Sequence, residues 1–289
     1  MSFYTKLAMN LFGKWGEGLI SYFPELKTDL KKAKMRYSVP EYISMGILTS
    51  ILVFCFEFPL LSYIFALLAQ GFLFSLVFSF TISVFLTLTI FYFILSYPKI
   101  IVNERAKKIE NALPFATLYL STISSSRLPT YRTFEIFSKY SEYDVLTNEI
   151  SRITSDVKSF GMDINTALER AVERTPSKKL KEMLYGILSI SRSGGDLNAY
   201  LKEKAKTYIV EYRRRLYEFS QQLTMFIEIY LTAIILGAVF FITLTSVMGG
   251  MAGISGNVLT LQFFLIFFFI PLVSIVFIFL IKSMTPGGG

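Results

Sequence analysis

The chain has 289 residues, of which 53% are hydrophobic, and a net charge of +8 with no His and one Cys. That composition is the signature of a polytopic membrane protein. With no His and a single thiol at Cys55, no donor set exists for zinc, haem or an iron–sulfur cluster, and no disulfide framework is possible, so neither a metal nor a cofactor is expected.

Residues 1–42 form a basic amphipathic N-terminal segment. Phe3, Leu7, Leu11, Trp15, Leu19 and Phe23 recur every four residues beside Lys6 and Lys14. The pattern predicts a helix over 3–23 that either lies on a membrane surface or packs on the protein's own domain. No small-residue cleavage site follows an apolar core here, so a cleavable signal peptide is not expected. Pro24 ends the stripe, and Glu25–Tyr37 reads as a second short, very basic helix. Ser38 with Glu41 three residues later fits a capping box that opens the first membrane helix.

From Tyr42 to Pro98 the only charge is Glu57, and from Gln222 to Ile281 the only charge is Glu228. About 20 apolar residues cross a bilayer as a helix, so each block has room for two spans. Gln70-Gly71 divides Ile43–Ala69 from Phe72–Tyr97, whereas a turn at Glu57-Phe58-Pro59 would leave one span too short and the other too long. The breaker-rich loop Gly249–Asn257 separates Leu223–Met248 from Leu259–Ile281. Two transmembrane hairpins, 43–97 and 223–281, therefore flank a charged segment, 98–222, with a tail at 282–289. Lys and Arg number 7 in residues 1–42, 21 in Lys99–Gln221 and 1 in the tail, and the turns between spans hold none. The positive-inside rule then places both termini and the central domain in the cytoplasm. The same bias, with anionic lipids, accounts for the positive excess, so nucleic acid is not an expected partner.

The central segment reads as helical throughout, because no stretch alternates like a strand for long. Val102–Ser124 is predicted as a helix with Pro114 as a kink or restart. Pro129–Tyr140, Val145–Phe160, Ile164–Arg174 and Ser177–Arg192 follow, and a helix from Leu197 runs toward the third span. The fold class is thus all-α, with a helical bundle between the hairpins. An internal repeat is present: Gly161-Met162-Asp163-Ile164-Asn165-Thr166-Ala167-Leu168 recurs as Gly194-Gly195-Asp196-Leu197-Asn198-Ala199-Tyr200-Leu201. In each, Gly ends one helix and Asp caps the next. Ser125-Ser126-Arg127-Leu128-Pro129 is a weaker third copy.

This layout resembles the type II secretion system F domain family, the platform proteins of type II secretion, type IV pilus, tight-adherence and archaeal filament machines. The resemblance runs from Ala112-Leu113-Pro114 through the Gly161 turn, Ala167-Leu168, Arg174-Thr175-Pro176 and Ser193-Gly194-Gly195-Asp196-Leu197, over roughly residues 100–222. Better-known members carry two such modules and three spans, whereas this chain carries one module between two hairpins. The resemblance implies a platform that couples a separate hexameric ATPase to pilin-like filament subunits. It also implies a homodimer or a paralogous platform partner. It implies no enzymatic activity, and the residues agree. No Gly-rich phosphate loop ends in Lys-Ser or Lys-Thr, and no His serves a Ser or Cys nucleophile. A secondary transporter or channel is the alternative, but it would want polar residues or broken helices near several midplanes, where only Glu57 and Pro59 qualify.

Ser193, Gly194, Gly195 and Asp196 are candidates for partner contact, or else an ordinary helix connection. Arg213, Arg214 and Arg215 sit just before the third span as an anionic-lipid anchor or a docking patch for an acidic motor surface. Lys178, Lys179 and Lys181 read as a solvated face. Glu228 lies about one helical turn into its apolar run. It either pairs with a filament subunit's charged N-terminus or snorkels to the interface. Glu57 is deeper, and either lines a groove at a kink or has an internal hydrogen-bond partner.

Overall fold

A computed structural model describes residues 3–68, 72–252, 260 and 262–284. Among these the regular structure is entirely helical: α1 (Phe3–Leu19), α2 (Leu26–Lys32), α3 (Val39–Leu68), α4 (Phe72–Ser124), α5 (Thr130–Tyr140), α6 (Asp144–Lys158), α7 (Ile164–Arg174), α8 (Lys178–Ser193), α9 (Leu197–Ile229), α10 (Gly237–Ala252) and α11 (Ile270–Met284). Wider π-helical stretches occupy Tyr230–Leu236 and Leu265–Phe269. Among the described residues four helical stretches are long and apolar enough to cross a membrane: Val39–Leu67, Leu73–Ser124, Leu197–Val247 and Gln262–Lys282. The chain is an all-α polytopic membrane protein, as its pattern predicts.

Three expectations are corrected. Helix α4 is one 53-residue helix that passes through both Pro98 and Pro114, rather than ending near Tyr97 and restarting at Val102. Pro98 has no N–H to give to the carbonyl of Ile94, and the Tyr42 hydroxyl donates to that oxygen at 2.7 Å instead. A tertiary bond thus covers the group the proline leaves bare. The basic helix after Pro24 stops at Lys32, because Lys34 adopts φ 59° and the Met35 N–H closes on the Leu30 carbonyl at 3.1 Å. Gly249–Ala252 are helical, extending α10; the remainder of that loop, 253–257, and the Gln70-Gly71 turn lie outside the described residues. Helix α3 runs unbroken through Pro59.

The chain divides into two compact units, Met1–Glu110 with Pro129–Gly195, and Asn111–Leu128 with Asp196–Gly289. In the first, the capping box forms as read: Ser38 N–H donates to Glu41 Oε2 at 2.8 Å, and Glu41 N–H to Ser38 Oγ at 3.4 Å. Helices α3 and α4 are joined by Phe65–Phe78 edge packing at 4.9 Å, by Phe80 edge-on to Phe54 and Phe58, and by Ser75 Oγ donating to the Ser62 carbonyl at 3.1 Å. Helix α1 packs along α3 through its small face, and the end of the apolar stripe, Leu19 and Phe23, packs against the cluster of Leu26, Leu30, Tyr42, Ile43 and Leu95. Ala8 is fully buried, and Tyr4 and Thr49 hydroxyls meet at 2.7 Å. Any Cβ at Gly16 would stand 2.6 Å from Ser44 Oγ and 2.9 Å from the Pro40 carbonyl. Leu11 and Trp15 remain 60% and 73% exposed.

Helices α5–α8 pack in sequence around Phe134, Phe137, Leu146, Ile150, Ile153, Leu168, Leu180, Met183 and Ile187, each at most 1% exposed. On α6, Glu149 is buried at 4% exposure. Its carboxylate receives Arg105 of α4 at 2.8 Å and Lys34 at 3.1 Å, with Arg174 of α7 4.0 Å away. Arg105 also donates to the Lys32 carbonyl. Burial lowers the pKa of the Lys34 ammonium, against the raising influence of Glu149. Between α5 and α6, Lys158 and then Arg132 hold the Glu135 carboxyl below its usual range.

The second unit pairs the end of α4 with α9: Phe115 meets Tyr212 edge-on at 5.4 Å, and Arg215 donates to Asn111 Oδ1 at 3.4 Å. Further along, Phe226 and Tyr230 pack on Phe277, the Tyr230 and Ser274 hydroxyls meet at 2.8 Å, and the Gln262 amide donates to Thr245 and Ser246 hydroxyls at 3.0 and 2.9 Å.

Two predictions follow from these contacts. Glu149→Ala leaves the partly buried Arg105 and Arg174 without their counter-charge and should cost about 1–3 kcal/mol, seen as a drop in the detergent-solubilised melting temperature. Tyr42→Phe should cost about 1–3 kcal/mol by stranding the Ile94 carbonyl. In a Pro98→Ala background, where residue 98 has its own N–H, that cost should shrink. An unchanged cost there would show that Tyr42 acts by packing alone.

Candidate functional site

The repeated turns are built alike. Helix α8 ends at Gly194 with φ +72°, and the Gly195 N–H closes on the Ile190 carbonyl at 3.1 Å. Asp196 then caps α9, accepting from the N–H groups of Asn198 at 2.8 Å and Ala199 at 3.2 Å. In the first copy Gly161 has φ +65°, and Asp163 accepts from Asn165 N–H at 2.9 Å. In the third copy Arg127 takes the same left-handed conformation, φ 53°, in a non-glycine residue. Ser193, Gly194, Gly195 and Asp196 are all exposed, and a Cβ at Gly194 would meet nothing within 4 Å. Gly195 does not need positive φ, and its Cβ would make ordinary contacts at 3.5 Å with Ile190 and Ser193. Only one of the two glycines is thus demanded by the backbone.

The other predicted residues do not join this turn. Asp196 and Arg213 stand 17 residues apart on one helix, about 25 Å at a 1.5 Å rise. The three arginines are consecutive and so face different ways. Arg213 is exposed, Arg214 pairs with Glu218 at 3.5 Å, and Arg215 is half-buried over the Tyr212 ring with its Nε unpartnered. They form no single patch. Lys178 and Lys181 are exposed.

Glu57 is half-buried on α3 beside an open groove of ≈ 560 Å³ lined by Thr49, Leu52, Val53, Phe56 and Leu60. Glu228 is exposed on α9, two residues before the π-helical stretch. Neither carboxylate has a hydrogen bond or ion pair with another described residue. The internal partner entertained for Glu57 is therefore not found among the described residues.

Sequence reasoning missed the Glu149 cluster. Its signal was a carboxylate on the apolar face of α6, between Leu146, Ile150 and Ile153, where a solvated acid would not be placed. Among the described residues no group of three or more His, Cys, Asp or Glu is positioned to hold a metal ion.

The turn geometry separates its two glycines. Gly194→Ala should destabilise by about 1 kcal/mol because Ala is strained at positive φ. Gly161→Ala should do the same, while Gly195→Ala stays within about 0.5 kcal/mol of the parent. Denaturant or thermal midpoints of the three variants check this, and equal costs at 194 and 195 would contradict the assigned geometry.

Residues 116–245 match the family model described as type II secretion system (T2SS), protein F. The chain is also 27% identical over 198 residues to "Uncharacterized protein MJ1286" of Methanocaldococcus jannaschii, a match covering 66% of this chain and 33% of that protein. The chain thus spans about a third of that relative's length. No solved structure matches. The resemblance carried by the Gly161 and Gly194 turns is therefore shown by a family match: residues 116–245 align with the type II secretion system protein F domain.

Proposed function

We propose that the chain is a membrane platform protein of a type IV pilus-like filament or type II secretion machine, coupling a separate hexameric ATPase to assembly of pilin-like subunits. The family match over residues 116–245 supports the platform role. The observation that carries the coupling is helix continuity. Leu73–Ser124 and Leu197–Val247 are continuous helical stretches of 52 and 51 residues, the second running through the π-helical Tyr230–Leu236, about 75–80 Å long. The bilayer's hydrocarbon core takes up only about 30 Å of that length. A push on the polar part of such a rod reaches its apolar part as tilt or rotation, with no loop to absorb it.

In this reading both termini and the central segment 98–222 are cytoplasmic, because all Lys and Arg lie on that side of the four spans. The exposed turn Ser193–Asp196 takes the motor's stroke, and Arg213 and Arg214 add positive charge along α9. Glu57, half-buried beside its groove, and the exposed Glu228 are carboxylates available to a cation on a filament subunit. A second copy or a paralogue completes the platform, since one module is present where the family often has two.

The test is co-purification with the cognate ATPase. Asp196→Asn keeps the cap and removes the charge, and Asp196→Lys reverses it. Both should be present at normal levels yet retain the ATPase several-fold less. Full retention by both variants would remove the turn from the motor surface. Single cysteines at Gln70 and Ser255 in a Cys55→Ser background should react with an impermeant reagent from outside, and reaction only after lysis would refute the orientation.

A further inference from the structure

Two grooves meet at Lys31. One, of ≈ 460 Å³, lies between α2 and α7 and is lined by Thr28, Lys31, Lys32, Arg170, Glu173 and Arg174. It presents four cations and one carboxylate. Lys31, Lys32 and Arg170 have no ion pair with a described residue. Arg174 is held by Asp156 at 3.0 Å, yet its Nε and Nη2 are buried without a hydrogen-bond acceptor. Guanidinium N–H groups left in this state favour an anion brought near them. The other groove, of ≈ 420 Å³, is mostly apolar, with Ile20, Leu30, Met35, Tyr37, Val39 and Pro40 beside Lys27 and Lys31. It opens where α3 begins its apolar run.

The depth of α2 can be read from its contacts with α4. Leu26 packs in one cluster with Tyr42, Ile43 and Leu95, at the ends of the spans. Glu25 reaches Lys99 at 3.4 Å, and the Lys32 carbonyl takes Arg105. Helix α2 therefore descends alongside α4 from the edge of the apolar zone, and its lysines fall within about 10 Å of that edge. The headgroup layer adds roughly 5–7 Å per side to the hydrocarbon core, so the backbone of Lys31 and Lys32 lies at its outer edge and their side chains reach into it.

We propose that α2 and α7 hold the phosphate of an anionic membrane lipid. Lys31, Lys32 and Arg170 bind the phosphate, and the apolar groove at the start of α3 takes the adjoining hydrocarbon. The bound lipid would tie the N-terminal segment to the helical bundle, and this holds whether or not the chain serves a filament. A soluble phosphate ester shares the headgroup's chemistry but has no use for the apolar groove.

The test uses the full chain in a zwitterionic detergent. It is titrated with phosphatidylglycerol, phosphatidylcholine or soluble glycerol phosphate, with bound species counted by native mass spectrometry. Phosphatidylglycerol should bind the parent chain, and Lys31→Ala/Arg170→Ala should weaken it roughly tenfold or more, as expected for two basic groups near an anionic headgroup. Lys31→Arg/Arg170→Lys should restore it, which a merely damaged fold would not. Lys178→Ala/Lys181→Ala removes two exposed cations elsewhere and should leave binding unchanged. Equal binding by the parent and the Lys31→Ala/Arg170→Ala variant, or equal binding of phosphatidylcholine, would overturn the proposal. Glycerol phosphate binding as tightly as the lipid would overturn the lipid as source.

Discussion

One buried carboxylate organises the first unit. Glu149 is the point where the N-terminal segment, α4, α6 and α7 come together, through Lys34, Arg105 and Arg174. A carboxylate at 4% exposure is costly unless its charge is met, and here the opposing charges arrive from three directions. The consequences are local and traceable. Lys34 sits at φ 59°, a conformation that costs a non-glycine residue about 1 kcal/mol or more, and its pairing with Glu149 offsets that strain. Arg105 satisfies the last turn of α2 through the Lys32 carbonyl while it pairs with Glu149. Because Lys34 lies four residues before Ser38 of the capping box of α3, and Arg105 lies on α4, the cluster grips both helices of the first hairpin close to where their apolar runs end.

The same cluster explains the unused positive charge next to it. Arg174 is shared between Asp156 and Glu149 but keeps two N–H-bearing atoms without acceptors. Glu149 cannot neutralise three cations, and Lys31, Lys32 and Arg170 add more on the neighbouring surface. An ordinary solvated face intersperses both signs, as at Glu135 between Lys158 and Arg132. The groove between α2 and α7 sets one carboxylate, Glu173, against four cations.

What the sequence revealed was local in origin. Spans follow from composition, the Ser38/Glu41 box from spacing, and the Gly161 and Gly194 turns from Gly two residues before a capping Asp. Ile164–Arg174 and the start of α9 at Leu197 are placed as read. What it hid depends on partners far along the chain. Pro98 reads as a break until Tyr42, 56 positions earlier, is seen to bond the Ile94 carbonyl. The end of α2 depends on Lys34 finding Glu149. The apolar stripe of α1 suggested either packing on the protein's own domain or a membrane surface; its end at Leu19 and Phe23 packs on the core, while Leu7, Leu11 and Trp15 stay exposed and the small face at Ala8 and Gly16 meets α3. Period-four hydrophobicity marks an apolar face, but it cannot say that a neighbouring helix prefers the smooth one. For the candidate site, the turn at Ser193–Asp196 was legible as a motif. The three arginines were misleading because adjacency in sequence means divergence on a helix.

These features set where the structure can yield. Helix α4 crosses from polar to apolar surroundings without a loop, and α9 continues through the π-helical stretch Tyr230–Leu236 into α10, again without a loop. The Glu149 cluster fixes α6 and α7 to the N-terminal segment by charge. The links that remain are the turns, and two of the three reverse through a glycine at positive φ, exposed and with no side chain to pack. Backbone rotation there disturbs few buried contacts, whereas rotation at the Glu149 cluster would separate buried charges. Gly161 joins α6 to α7, which the Glu149 cluster already holds together, so of the two glycine turns Gly194 is the one that can move without separating those charges. The cost of moving the Glu149 cluster keeps α2, α6, α7 and the first hairpin together as one body.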